Sequence, residues 1–266
     1  MLPRTAPLAP GPSVLAFAGR DRSRELLKRA FPRRRGRLML ARTPAEFEDA
    51  FLATLVDAAI VDVASPTEET WKVAAMARDF PSVPFFALAP MRVADAFAIA
   101  RCAELEFAEV LAEGMDDGAL RELVTPLGFT ARFGYALGDA GAALGLSSDL
   151  QQRAWLAIVV QGGRSVRTEA LARQLAVTRE HLSRSFAASG SPNLKRIIDL
   201  VRLIAAAELA KNSGYDLPDV ARVLEFASPS HLASTAARVI GVRSASLTRL
   251  RTHEIIKRFD GRSRKG

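Results

Sequence analysis

Few residues in this 266-residue chain have types and spacings that chemistry could use. One is Asp62, a carboxylate near the end of the apolar run AAIVDV (58–63). Alone at a strand end it cannot organise Mg²⁺, a hard cation that takes several oxygen ligands. A second group is Arg179, Glu180, His181, Ser183 and Arg184, a dense polar set within RTEALARQLAVTREHLSRSF (167–186). A guanidinium such as that of Arg184 can donate two hydrogen bonds to guanine O6 and N7, worth about 1–3 kcal/mol of discrimination. Glu180 has two readings, an acceptor for a cytosine amino group or an N-terminal acid that stabilises the helix dipole. Elsewhere no acid/base pair, nucleophile or metal constellation assembles. The three histidines are scattered, and one cysteine excludes an internal disulfide and a cysteine-rich zinc site. Cys102 wants a basic neighbour to act as a redox sensor; Arg101 is adjacent but points elsewhere on a helix, so packing is the expectation. Gly162-Gly163 is followed by no Lys-Ser/Thr pair, which excludes a P-loop. The chain is expected to be no enzyme and to need no cofactor.

The polar set needs a scaffold, and residues 167–186 supply one. Leu171, Ala172 and Leu175 fall at helical spacing, Val177 sits in a turn, and Leu182 and Phe186 face inward from a second short helix. Thr178 opens that helix as N-cap. A short helix with so polar an outer face suits the DNA major groove. A long helix follows over SPNLKRIIDLVRLIAAAELAKNS (191–213), with Ser191 and Pro192 as N-cap and N1. Spanning 192–211 it would be about 30 Å long at ~1.5 Å per residue, close to one DNA turn. Lys195 and Arg196 near its start are either phosphate contacts or solvated charge. Asp216 and Pro218 begin a further unit, in which Ser228 and Pro229 cap another helix.

These features resemble the paired helix-turn-helix units of the AraC/XylS transcription regulators. LA-x-x-L-x-V (171–177) and HLSRSF (181–186) match the first unit, and VARVLEFASPSHL (220–232) marks the second; the likeness runs from near Val166 to near Leu247. It implies base-edge contacts from Arg184, Ser183, Glu180 and Arg179. The second unit departs from the pattern. Glu225 replaces a turn glycine, Leu232 and Ala236 replace core aromatics, Ser234 stands where Arg184 stands in the first unit, and Ser244 replaces a proline. With Ser230, Ala233 and Ser234 outward, its helix is expected to touch backbone and phosphate, through residues such as Ser228, Ser230 and Ser234, more than bases.

The N-terminal half alternates strand and helix. Apolar runs at 13–18, 36–41, 58–63, 83–89 and 107–112 are separated by helical patterns, and Thr43, Pro44 and Glu46 form a helix start. Five such repeats predict a doubly wound parallel sheet, a receiver-like (flavodoxin-like) α/β domain. DAAIVDV (57–63) and VPFFALAP (83–90) are similar to the third and fourth strands of response-regulator receivers, with Asp62 on the phosphoacceptor position. The family holds Mg²⁺ with an acidic pair after strand one; those positions are Ala18 and Gly19 here. Its hydroxyl residue is Ala89 and its lysine is Glu113. The resemblance therefore implies a degenerate domain, a pseudo-receiver for dimerisation or for partner or ligand sensing without phosphorylation.

Composition sets the frame. Hydrophobic residues make up 49% and mean hydropathy is +0.08, so two ordinary cores are available. No apolar run is long enough to span a bilayer, and the proline-rich start is unlike a signal peptide. Residues 1–150 carry 17 basic and 20 acidic side chains, and residues 151–266 carry 20 and 9. That asymmetry fits a regulatory module joined to a nucleic-acid module. FPRRRGR (31–37) is either a DNA contact or a solvated loop. The expected layout is a disordered leader (1–12), the α/β domain (13–127), a glycine-rich linker (128–148), an all-α DNA-binding domain of two helix-turn-helix units joined by a long helix (149–250), and a basic tail (251–266). The expected function is a cytoplasmic, sequence-specific transcription regulator. Its partners would be double-stranded DNA, a second copy of the chain as homodimer and RNA polymerase, with no membrane. Two alternatives stay open: a phosphorylatable regulator acting through Asp62, and a protein-interaction adaptor that has lost DNA binding.

Overall fold

A computed structural model describes residues 11–187 and 192–263. The chain divides into an α/β unit, Gly11–Arg132 with Asn212–Tyr215, and an all-α unit holding most of the rest.

In the α/β unit the order is β1 (Ser13–Phe17), α1 (Asp21–Ala30), β2 (Arg37–Ala41), α2 (Pro44–Ala53), β3 (Ala58–Asp62), α3 (Glu68–Ala75), β4 (Phe85–Ala89), α4 (Ala96–Glu104), β5 (Glu109–Ala112) and α5 (Asp117–Leu127). The strands are parallel in the order β2-β1-β3-β4-β5, the doubly wound arrangement the alternating pattern predicts. β1, β3 and β4 are buried along their whole length, which is why they read as unbroken apolar runs. α2 starts where its residues dictate: Thr43 accepts from the Glu46 N–H at 3.1 Å, and the Glu46 carboxylate accepts from the Arg42 N–H at 2.7 Å. The order reverses between β1 and β3, so the strand C-termini there frame the crevice where open α/β sheets place their chemistry.

Four residues from late in the chain complete the core of this unit. Tyr215 lies 4.7 Å from the Phe80 ring and 6.1 Å from that of Phe51. Gly214 lies flush on Phe80, where a Cβ would come within 2.3 Å of the ring. Asn212 accepts from the Ser82 N–H and donates to its hydroxyl. None of this was read in the sequence.

Residues 128–148, the glycine-rich linker expected to be flexible or partly helical, are mostly helical. They form α6 (Phe129–Leu137) and α7 (Ala140–Ala143), and Phe129, Phe133, Leu137, Leu144 and Leu146 are buried. The division between the units falls inside α6. Gly141 is there for close approach, since a Cβ would sit 2.9 Å from the Trp155 ring. In the all-α unit follow α8 (Asp149–Val159), α9 (Thr168–Gln174), α10 (Arg179–Ala187), α11 (Leu194–Leu209), α12 (Leu217–Val223), α13 (Pro229–Ile240) and α14 (Thr252–Ser263). The basic tail is thus largely helical through α14, whose Ile255 and Phe259 are fully buried. The connecting helix is also shorter than expected. It begins after Asn193, whose side chain accepts from the Arg196 N–H at 2.9 Å, and Ser191 lies outside the described residues. Its 16 residues span about 24 Å, less than one DNA turn. The leader up to position 10 likewise lies outside the described residues. Among the described residues no helix is long and apolar enough to cross a membrane.

Candidate functional site

Asp62 ends β3 beside the end of β1, and its side chain is almost fully buried. It is no idle remnant. The Arg20 guanidinium donates to both carboxylate oxygens, Nη2 to Oδ1 at 2.6 Å and Nε to Oδ2 at 2.9 Å. The Ala64 N–H donates to Oδ1 at 3.2 Å. Nη2 of Arg20 also donates to Glu113, whose side chain is as buried as that of Asp62. Arg22 approaches the far oxygen of Glu113 at 3.7 Å. Burial penalises the Arg20 charge, but its hydrogen bonds to Asp62 and Glu113 outweigh this and hold its pKa above the ordinary range. Chain order explains the geometry: Arg20 caps the strand–helix joint after β1, and Glu113 follows β5.

The Mg²⁺ that the receiver resemblance implies does not fit this arrangement. Ala18 and Gly19 offer no carboxylate. The space between Asp62 and Glu113 is filled by a cationic side chain bonded to both. Among the described residues no cluster of three His, Cys, Asp or Glu side chains could hold a metal. Arg20 was missed in the sequence. The available signal was a basic residue at a strand–helix joint within one sheet edge of two expected strand-end carboxylates.

In the all-α unit, α9 and α10 form the helix pair the apolar spacing predicts. Leu171, Ala172, Leu175, Leu182 and Phe186 are buried. Ala176 takes the left-handed conformation at φ 57° in the turn. Thr178 accepts from the His181 N–H at 3.1 Å. Arg179, Glu180, Ser183 and Arg184 share the exposed face of α10. Arg179 is engaged with Glu169 at 2.9 Å. Arg184 leans on the Glu180 carbonyl at 3.4 Å, a weak contact that leaves its guanidinium presented outward.

The remaining predicted residues have mixed roles. Lys195 is exposed at the start of α11. Arg196 lies half-buried over the Phe259 ring at 5.3 Å. The Ser228 hydroxyl is used as N-cap of α13, accepting from the His231 N–H. Ser230 is exposed on α13, as is Ser234, whose hydroxyl donates to the His231 carbonyl. The unit also relies on Arg202, which sequence reasoning passed over within the apolar stripe of α11. It stacks 3.8 Å from the centre of the Phe226 ring and donates to the Leu224 and Glu225 carbonyls. Burial pulls its pKa down, with the Asp199 and Glu225 charges opposing. Glu225, on the turn-glycine position, is held at φ 57°. Cys102 is fully buried, and burial pushes its thiol up to about 11, so it packs rather than reacts.

A family model described as a helix-turn-helix domain matches residues 171–250. No curated protein matches the chain. Among solved structures the chain is similar to full-length FixJ from B. japonicum, at 13% identity over 71% of this chain and 95% of that one, with a TM-score of 0.40. A response regulator from Thermotoga maritima matches at 16% identity over 44% and 97%, TM-score 0.38. The response regulator TrrA of the same organism, in complex with Mg(2+)-BeF, matches at 18% over 44% and 98%, TM-score 0.37. At such identities the likeness is one of fold. Two expectations are corrected. The assignment to AraC/XylS does not stand: the matching family model is described only as a helix-turn-helix domain. The pseudo-receiver working without phosphorylation does not stand either. Asp62 is a buried, fully engaged carboxylate at the sheet's switch point, not an idle residue left on a scaffold. The chain is a receiver-like α/β unit joined to an all-α unit that contains a helix-turn-helix region.

Proposed function

We propose that this protein is a DNA-binding transcription regulator controlled by phosphoryl transfer to Asp62. The observation that carries the DNA half is the outer face of α10, four polar residues on a short helix whose other side is locked into the core by Leu182 and Phe186. Arg184 reads a base edge, and Lys195 neutralises phosphate. Asp62 supports the control half. One carboxylate oxygen attacks the phosphorus of an acyl phosphate or phosphohistidine donor, the bond from phosphorus to the donor's leaving oxygen or nitrogen breaks, and an aspartyl phosphate remains. The guanidinium of Arg20 lies where that new charge would form, and charge-assisted bonds from arginine to phosphoryl oxygens are among the strong ones. The protein turns over no separate substrate in this reading. It acts in the cytoplasm as a homodimer, in which each copy raises the effective concentration of the other at a paired site, and RNA polymerase is the natural downstream contact.

A DNA-selection assay on wild type, Arg184→Ala and Asp62→Asn, each with and without acetyl phosphate, tests this. Wild type is expected to enrich a short motif and Arg184→Ala to lose it. Acetyl phosphate should add one phosphoryl mass to wild type, none to Asp62→Asn, and change enrichment in wild type only. No enriched motif would sink the DNA half, and equal phosphoryl uptake by Asp62→Asn would sink the control half.

A further inference from the structure

We propose that the Arg20 side chain is a built-in replacement for the divalent cation of this site, so that the α/β unit binds no Mg²⁺ and its Asp62 chemistry is independent of metal. The metal-binding part stands on the geometry alone; the chemistry part rests on the reading of Asp62 as phosphoryl acceptor.

Two buried carboxylates, Asp62 at the end of β3 and Glu113 just past β5, lie at the C-terminal edge of the sheet with β4 between their strands. Like charges brought together away from water repel, and the structure must either protonate one or place a cation between them. A divalent ion is one solution. This chain uses another: a single guanidinium donates to both, with its Nε and Nη2 turned to Asp62 in the fork geometry that suits a carboxylate. A metal ion entering here would have to displace an arginine held by three hydrogen bonds to Asp62 and one to Glu113. It would gain no ligand from Ala18 or Gly19 in exchange. The two groups also differ in what they allow. A hydrated Mg²⁺ comes and goes with its concentration, whereas Arg20 is permanent and always charged. The charge at Asp62 is therefore balanced whatever the magnesium level, and the site responds to a phosphoryl donor alone.

Titration of the full-length protein with Mn²⁺, followed by the paramagnetic signal of the free ion, tests the first part. Wild type and Arg20→Lys, which keeps a cation between the carboxylates, are expected to show no saturable binding at millimolar Mn²⁺. Arg20→Ala is expected to gain a saturable site at least about tenfold tighter, a factor of ten being ~1.4 kcal/mol, and to lose it again in the Arg20→Ala/Asp62→Asn double variant. Saturable Mn²⁺ binding by wild type that Asp62→Asn removes would overturn the proposal. So would a folded Arg20→Ala protein, by circular dichroism, that binds no better than wild type. The second part is read by intact mass after acetyl phosphate treatment in EDTA and in Mg²⁺. Equal uptake is expected, and uptake only in Mg²⁺ would overturn it. No uptake under either condition would remove the phosphoacceptor reading, while the Mn²⁺ titration would still decide whether Arg20 stands in for the metal.

Discussion

At the scale of single residues, two arginines decide what this chain can do: Arg20, partly buried against two carboxylates, and Arg202, buried against two backbone carbonyls. Arg20 sets the chemistry of the sheet edge. Arg202 sets the geometry of the second helix pair in the all-α unit. The turn after α12 places Glu225 at φ 57°, a conformation that disfavours a residue with a Cβ by roughly 1–2 kcal/mol. Something must hold it, and Arg202 does so by donating to the carbonyls of Leu224 and Glu225 at 2.8 and 3.0 Å while its plane lies on Phe226. Replacing it by Met keeps much of the volume but leaves both carbonyls without their donor. Arg202→Met is expected to destabilise the all-α unit by about 2–3 kcal/mol, seen as a lower urea midpoint. Glu225→Gly in the same background should recover part of the loss by relieving the turn. A midpoint unchanged in Arg202→Met would show that the turn is held by other contacts.

At the scale of elements, the sequence was legible wherever a local pattern decided the outcome. The five strands, the Thr43 cap and the α9–α10 pair follow from apolar periodicity and capping chemistry acting over a few residues. What was not legible came from contacts remote in sequence. Glycines between 128 and 148 suggest a flexible joint, but Gly141 is there because Trp155 lies against it, and α6 is fixed by the Asp57 carboxylate accepting from the Thr130 N–H. The end of α11 likewise shows no local sign that the next residues belong to the other unit. Asn212–Tyr215 complete the aromatic core built from Phe51, Phe80 and Phe85. Burying an aromatic ring there has a measurable consequence. Tyr215→Ala is expected to destabilise the α/β unit by about 3–5 kcal/mol, the usual range for aromatic-to-alanine changes in a core. Tyr215→Phe, which keeps the ring against Phe51 and Phe80, should cost much less than Tyr215→Ala. Hydrogen exchange across β1–β5 reads both; full protection in Tyr215→Ala would mean that the four residues merely rest on the unit.

At the scale of the whole molecule, charge is divided between the two halves, and some of the basic half is committed to internal pairs. Arg153, Arg179, Lys211, Arg222 and Arg238 pair with Asp149, Glu169, Glu208, Asp219 and Asp199, and Arg202 is buried. Residues 151–266 hold 20 basic against 9 acidic side chains, so the net charge of this half is strongly positive. Released counterions then dominate the affinity for any duplex, which must fall linearly in log salt with a slope of about −0.9 per phosphate neutralised. This separates the two kinds of contact proposed for the all-α unit. Lys195→Ala should make the slope shallower by about 0.9 and leave the selected motif unchanged, since a phosphate contact carries no sequence information. Arg184→Ala should do the reverse, leaving most of the slope intact and costing about 1–3 kcal/mol on the preferred site alone. Binding isotherms on the selected site and on a scrambled duplex across a salt series measure both. If the two variants shift slope and preference alike, α10 is not the reading element, and recognition must be sought on α13, where Ser230 and Ser234 offer hydrogen bonds without charge.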